Sequence, residues 1–478
     1  MSKPGGICFV LSAAFILGVF FPAAAFADSN GVLTLEKACK AALDENENIQ
    51  ISRQEMRKAD HEITSATSRL YPQLSVRGAY TREKEFDMPA GGATGSGDTG
   101  GSSSPTGSGD TGGSSSPTGS GDTGGSSPPT EYGTLSLNLD QHIYQWGKVW
   151  SGREMARHYY DSSRLRHIRE AQETLYQVSV RYYEALLARR SIEIAENALK
   201  RAVRQNEQAG ARFEAGVTTR TDVLRAEVQV AQSREELERA KNDYDIALER
   251  LALEMGVESA PEDIREPEEL TFDEDPVSEL FEKAMENRRD LYQAEKQLDG
   301  SEKRVDFEKA DFFPNISLTG EYKRTDEKDM FYGESDNWNA AVVVSYPLFT
   351  GWENSAELGR ARADKNQVQY RLARLRKQIK NEVKSVYLDL RTQRKVIEQL
   401  EKQVDSAERN YRETTARFKE GLVTAVDQVD AFTALNEAEN RLAQAYYTYQ
   451  LDVLRLEMAT GTFKSNLLEK EILNNETG

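Results

Sequence analysis

Apolar and polar positions along this chain follow two rhythms. The commoner one places apolar residues every three or four positions, as in Tyr244, Leu248, Leu251 and Met255, or Ala443, Tyr446, Tyr449, Val453 and Leu456. That is the spacing of helices with one buried stripe. Residues 148–213 contain no proline, and their two glycines, Gly152 and Gly210, lie near the ends. Residues 353–419 are interrupted only by Gly359. Sixty-six residues at 1.5 Å each make a helix of about 99 Å. Ordinary globular helices run 8–20 residues, so this length predicts a coiled coil or a helical barrel. Four further helices are predicted at 33–70, 220–255, 276–312 and 425–460, each about half as long, so two laid end to end match one long helix.

The second rhythm is strict alternation. It begins at Pro72 and again at Pro314, where proline stops the preceding helix. Leu74, Val76, Gly78 and Tyr80 alternate with Ser75, Arg77, Ala79 and Thr81; Ile316, Leu318, Gly320 and Tyr322 alternate with Ser317, Thr319, Glu321 and Lys323. Leu135, Leu137 and Leu139, and Ala340, Val342 and Val344, repeat the pattern. Four strands follow, at about 73–85, 132–144, 315–325 and 338–349. Aromatics gather at both strand ends: Tyr71, Tyr144, Trp146, Phe313, Phe349 and Trp352 on the helix side, and Tyr80, Tyr132, Phe331, Tyr332 and Trp338 on the other. Short amphipathic strands between two aromatic girdles suit a transmembrane β-barrel wall. A soluble sheet packed on helices is the competing reading. Four strands cannot enclose a barrel unless copies join them.

The whole pattern occurs twice. Residues 71–80 (YPQLSVRGAY) match 313–322 (FPNISLTGEY) at an offset of 242, whereas Arg212-Phe213-Glu214-Ala215-Gly216 and Asp222 match Arg417-Phe418-Lys419-Glu420-Gly421 and Asp427 at an offset of 205. The difference of 37 is nearly the 36 residues of 94–129, which read TGSGDTGGSSSP twice and then TGSGDTGGSSPP. This tract has no apolar residue to bury and is expected to be a disordered hairpin insertion. A single Asp in each unit of the tract, without apolar strand positions, fits calcium-binding repeats poorly. The resulting organisation is a first repeat over 28–256, a Pro/Glu-rich linker over 257–276, a second repeat over 277–461 and a tail over 462–478.

Charge and cysteine content change the picture only at its margins. Lys3, the apolar run 7–21 and Ala25-Phe26-Ala27 read as a signal peptide over 1–27, which predicts a mature chain starting at Asp28. The run is too short for a membrane helix. A net charge of −18 argues against a nucleic-acid partner. Cys39 remains alone once Cys8 is removed, so no internal disulfide is expected, and Cys8 lies too far upstream of the cut to carry a lipid. His61, His142, His158 and His167 lack paired spacing, so no metal or cofactor is expected. No phosphate loop, nucleophile elbow or positioned carboxylate pair appears, so neither an enzyme nor catalytic residues are expected.

With these residues in view, the chain resembles the outer-membrane efflux protein (TolC) family. The resemblance covers essentially the whole mature chain and includes the opening Leu33-Thr34-Leu35-Glu36-Lys37-Ala38 and both tip turns. It departs where Gln141-His142-Ile143-Tyr144 lacks the proline present at Pro347, and where Asn46-Glu47-Asn48 replaces the usual Asn-Pro. The family implies a mostly helical fold, with an internally duplicated coiled-coil tunnel and four strands per protomer. Three copies would form a twelve-stranded barrel in the outer membrane. It further implies a passive exit duct for tripartite efflux or type I secretion, contacting outer-membrane lipid, with a periplasmic adaptor and an inner-membrane pump as partners. Gly216 and Gly421 supply the positive φ at the tip turns. By resemblance, Asp427 and Asp430 fall among aspartates ringing the periplasmic entrance, and Asp222 with a latch partner. Val423 stands where TolC has an arginine, which makes Arg220 the candidate replacement. For Asp222 and Asp427, a helix-terminus role is the simpler alternative. The alternative for the whole chain is a secreted periplasmic or surface coiled-coil scaffold without a pore.

Overall fold

The structure, a computed structural model, describes residues 32–83, 130–272, 275–326 and 335–464. The signal segment 1–27, the repeat tract 94–129, Phe331, Tyr332 and most of the tail lie outside the described residues. In chain order the elements are β1 (Val32–Leu33), α1 (Leu35–Glu45), α2 (Glu47–Ser68), β2 (Gln73–Glu83), β3 (Thr130–Tyr144), α3 (Lys148–Glu214) and α4 (Arg220–Met255). There follow β4 (Asp263–Ile264), α5 (Val277–Asn287), α6 (Arg289–Lys309), β5 (Asn315–Asp326), β6 (Ser335–Ser345), α7 (Glu353–Glu420) and α8 (Ala425–Thr460). The long helices α3 and α7 hold 67 and 68 residues. No described helix is long and apolar enough to cross a membrane.

The chain divides into two compact units. One contains Glu55–Arg164 and Tyr292–Arg374, and its centre is a four-stranded antiparallel sheet in the order β2-β3-β5-β6. Pairing sets Leu74 against Leu139, Val76 against Leu137 and Gly78 against Leu135. Further across, Leu137 faces Tyr322, and Tyr322 faces Trp338. Directly opposed residues share a face, so this register fuses four alternating patterns into one apolar surface. That surface is bare: Leu74, Val76, Val342 and Val344 are 65, 68, 63 and 64 % exposed. The second β-hairpin differs from the expected 338–349, because β6 starts at Ser335 and stops at Ser345. Pro347 has no N–H to continue the ladder. On the helix side Trp146 stacks on Phe313 at 4.9 Å and meets Tyr144 edge-on at 5.3 Å. Both strand-to-helix junctions contain two successive left-handed residues, Trp146-Gly147 in one repeat and Gly351-Trp352 in the other.

The other unit contains the chain up to Gln54, Leu165–Leu291 and everything from Leu375 on. Its core gathers Cys39 and Leu43 of α1, Leu175 and Tyr182 of α3, Leu251 of α4 and Leu454 of α8. The linker crosses this core, and its strand β4 pairs in parallel with β1. The Tyr182 hydroxyl bonds to the carbonyls of Leu33, at 3.0 Å, and Arg265 on either side of that pair.

Two predicted helices are each broken in two. The expected 33–70 helix divides at Asn46, whose Oδ1 accepts the Asn48 N–H at 2.9 Å and whose Nδ2 donates to the Glu254 carbonyl at 2.9 Å. An asparagine that caps the following turn offers the backbone an alternative to continuing the helix. The expected 276–312 helix divides at Arg288, which is the counterpart of Asn46 in the second repeat, and ends in a 3₁₀ turn at Ala310–Phe312. Each break receives the glycine that closes a returning helix. Gly256 and Gly461 are left-handed, and a Cβ on them would lie 2.9 Å from Asn46 Cα and 2.8 Å from the Asn287 carbonyl carbon. The duplication therefore preserves a contact as well as a sequence.

Candidate functional site

The candidate site is the pair of tip turns, α3 to α4 and α7 to α8. At the first, Gly216 takes φ +73°; its N–H donates to the Phe213 carbonyl, and that of Val217 to the Arg212 carbonyl, both at 2.9 Å. At the second, Gly421 takes φ +80°, and Gly421 and Leu422 donate to Phe418 and Arg417, both at 3.0 Å. This paired bonding is the glycine-terminated helix end known as the Schellman motif. Each returning helix then opens with a reciprocal capping box, Thr219 with Asp222 and Thr424 with Asp427.

The capping boxes assign Asp222 and Asp427 a local role. Asp222 accepts from the Thr219 hydroxyl at 2.6 Å, the Thr218 hydroxyl at 2.9 Å and the Thr219 N–H at 3.1 Å. Asp427 accepts from the Thr424 hydroxyl at 2.7 Å and N–H at 2.8 Å. These hydrogen bonds, the threonine hydroxyl's first, hold both carboxyls below the usual range. Asp430 lies outside the box, exposed, three residues further along α8. Arg220 lies over the Phe213 ring of its own hairpin, 5.9 Å from the centroid.

At the tip itself, Arg212 joins the two hairpins, a cation that sequence reasoning passed over. Its guanidinium donates to the Phe418 carbonyl and lies 4.8 Å from the Phe418 ring centre. Its duplicate, Arg417, instead pairs with Glu413 of its own helix at 2.5 Å. The two turns share a sequence, and only the fold makes one arginine a bridge. Higher up, Arg201 of α3 holds Glu439 of α8 through two bonds at 2.7 and 3.1 Å, with Asn436 at 2.5 Å. Between the arginines lie Ala202 and Ala209, small enough for close helix approach, and the buried polar Gln205, Ser233 and Gln428. Among the described residues no cluster of His, Cys, Asp and Glu is placed to hold a metal ion.

Comparison with known proteins places these features in a family. The sequence pattern of the outer membrane efflux proteins matches residues 38–257 and 280–462. The alkaline protease secretion protein AprF of Pseudomonas aeruginosa is 28 % identical over 320 residues, which span 65 % of this chain and 66 % of AprF. The outer membrane protein TolC of Vibrio cholerae is 24 % identical over 349 residues, 72 % of this chain and 78 % of TolC. In structure, the CmeC outer membrane channel of Campylobacter jejuni superimposes with a TM-score of 0.73 at 17 % identity, covering 92 % of this chain and 88 % of CmeC. That likeness shows the fold. With duplicated hairpins, paired tip turns and an apolar-faced sheet all in place, the chain belongs to the outer membrane efflux protein family and is an outer-membrane protein.

Proposed function

We propose that three copies of this chain form an exit duct through the outer membrane and periplasm, serving tripartite efflux or type I secretion. An apolar sheet face exposed across four strands in register, with β2 and β6 each unpaired on one side among the described residues, carries this reading. A sheet within a bilayer must satisfy all its backbone groups, so its edges have to close. Three copies supply twelve strands, and the apolar face turns to lipid. A periplasmic adaptor and an inner-membrane pump would deliver cargo to the helical tip. The scaffold alternative leaves this apolar face without a partner.

The tip is the periplasmic gate in this reading, with Gly216 and Gly421 reversing the hairpins. Asp427 and Asp430 of three copies would ring the axis, and Asp222 and Arg220 would act in the latch beside them. Six carboxylates near one axis would bind a multivalent cation. Planar-bilayer recording on the purified protein tests both layers of the proposal. A cation-selective pore is expected, blocked from the tip side by a trivalent cation. Asp430→Asn removes charge without touching a capping box, and should weaken the blockade at least tenfold. Equal blockade of wild type and the Asp427→Asn/Asp430→Asn pair would retire the gate assignment. A detergent-solubilised monomer without conductance would retire the channel.

A further inference from the structure

We propose that a row of side chains on the polar face of the sheet, Arg77, Ser136, Lys323 and Asn337, binds a multivalent oxyanion that enters from the strand end. The inference rests on the three-copy reading above, in which the polar face lines the lumen. It adds a site opposite in sign to the carboxylates proposed at the tip.

Register is the first observation. Pairing sets Arg77 against Ser136, Ser136 against Lys323, and Lys323 against Asn337. Opposed residues share a face. Alternation puts this row on the face away from its register neighbours Val76, Leu137, Tyr322 and Trp338. Adjacent strands lie about 4.8 Å apart, so the Arg77 and Lys323 backbones stand about 10 Å from each other with Ser136 between them. Both side chains are long enough to reach a group held between them. Guanidinium, ammonium, hydroxyl and amide all donate, and the guanidinium fork matches two oxygens of a phosphate at once. The Ser136 hydroxyl donates to the Arg77 carbonyl at a long 3.5 Å, which leaves it free to turn to a ligand.

Availability is the second. Arg77, Lys323 and Asn337 are exposed. Neither cation forms an ion pair among the described residues. Arg324, one residue beyond Lys323, shows the contrast: it lies on the opposite face and meets Asp336 at 3.8 Å. In a chain of net charge −18, two free cations in one cross-strand row are unusual.

The order of charges along the strands is the third. On the same face, the next row toward the helices is Ser75, Asn138, Glu321 and Asn339, and the one after it contains Asp140. The next row outward holds Ala79, Thr134 and Thr325, none of them charged. Carboxylates therefore lie only on the helix side of the cations, the nearer one, Glu321, about 7 Å along the strand from Lys323. An anion arriving from the strand end meets Arg77 and Lys323 first, and the carboxylates behind them resist its further passage. Charged side chains lining a pore select ions in this way. A monovalent anion gains little from one cation in water, whereas an ion with several charges on one frame engages both. Rotation about the barrel axis repeats the row in each of three copies.

Bilayer recording on the full-length protein tests the row. Protein added to one chamber leaves its helices there, because no described helix is apolar enough to cross a membrane, so the strand end opens to the far chamber. Inorganic tripolyphosphate in the far chamber should block the current, and in the near chamber it should block about tenfold less well. Arg77→Gln with Lys323→Gln should raise the far-chamber half-blocking concentration about tenfold, the size of effect expected from two lost charge contacts. Arg77→Lys with Lys323→Arg should keep the blockade, and Glu321→Gln should strengthen it. Light scattering checks that each variant keeps the oligomer of the wild type. A wild type that conducts but ignores far-chamber tripolyphosphate overturns the row and leaves the duct standing. So does a blockade untouched by the paired glutamine substitutions, or one equally strong from both chambers, which would place binding elsewhere in the pore. A wild type without conductance overturns the duct and the row together.

Discussion

Arg288 sits where α5 gives way to α6, with 12 % of its side chain exposed, and it holds Asp290, 6 % exposed, at 2.7 Å. The same guanidinium reaches Glu382 of α7 at 2.7 Å and the Ala459 carbonyl of α8 at 3.1 Å. Burial alone would raise the Asp290 carboxyl, but the Arg288 bonds and charge outweigh it and hold the group low. Asp290→Ala would remove one of the two carboxylates on Arg288, leaving Glu382 and the Ala459 carbonyl, and the lost charged hydrogen bonds should cost about 1.5–3 kcal/mol. Chemical unfolding of the helical core is the measurement, and a loss under about 1 kcal/mol would deny the network its role. Since Asp290 is depressed in the native state, its stabilisation is complete above the unfolded value of about 3.9 and is lost as pH falls through the native one. A melting series from pH 6 downward should show an acid loss that Asp290→Ala lacks. At the tip, Asp427→Ala removes the carboxylate half of the Thr424 capping box and should loosen the start of α8. Hydrogen exchange should quicken in the first turn of α8 only, and Asp430→Ala should leave it unchanged.

Among the elements, the glycines separate two demands that look alike in sequence. Gly216 and Gly256 both take positive φ, yet nothing lies within 4 Å of a Cβ added at Gly216, whereas one at Gly256 meets the backbone of Asn46. Gly216→Ala should therefore cost about 1–2 kcal/mol, the price of the left-handed conformation. Gly256→Ala should cost clearly more, because the α1–α2 break must also move. Thermal unfolding of the two variants compares them directly, and equal losses would mean that the close approach is relaxed at no cost. The strands support another prediction. Glu83 and Thr130 are paired partners at the end of the β2–β3 ladder, so the hairpin ends already stand together. Deleting residues 94–129 shortens the connection between them without moving either strand, and closure entropy changes only slowly with the length of a connection. Migration of the deletion variant should keep the oligomer band of the wild type; its loss would show that the tract contributes to assembly.

At the scale of the whole molecule, the described chain is an incomplete object. Its sheet exposes an apolar face and, among the described residues, two unpaired edges. Exposed edges and apolar patches of this size are liabilities in a free monomer. The barrel part would assemble by backbone pairing and lipid contact, and charged helix surfaces would add salt-sensitive contacts. These forces respond differently to salt. Raising ionic strength from about 0.05 to about 0.5 M shortens the Debye length several-fold. It should loosen contacts between charged helix surfaces while the oligomer held by the barrel persists, read by light scattering. Dissociation of the whole oligomer by salt would place its stability in the helices.

Much was legible in the sequence because it is periodic or local. Period-two alternation fixed four strands and their apolar parity, and uninterrupted helical spacing fixed α3 and α7 to within a residue or two. The paired turns followed from Gly216 and Gly421, since a long helix that reverses needs positive φ at a known place. What the sequence concealed is non-local. Asn46 and Arg288 read as ordinary helix residues, and they become breaks only because a glycine distant in the chain, Gly256 or Gly461, packs its backbone against each. Arg212 and Arg417 occupy equivalent positions in duplicated turns, yet one bridges two hairpins and the other pairs within its own helix. Asp222 and Asp427 invited a gating role, and the fold first engages both as caps. Sequence determines what each segment prefers alone; the tertiary structure decides which of two equal side chains finds a partner, because that depends on what the packing of distant helices brings within reach.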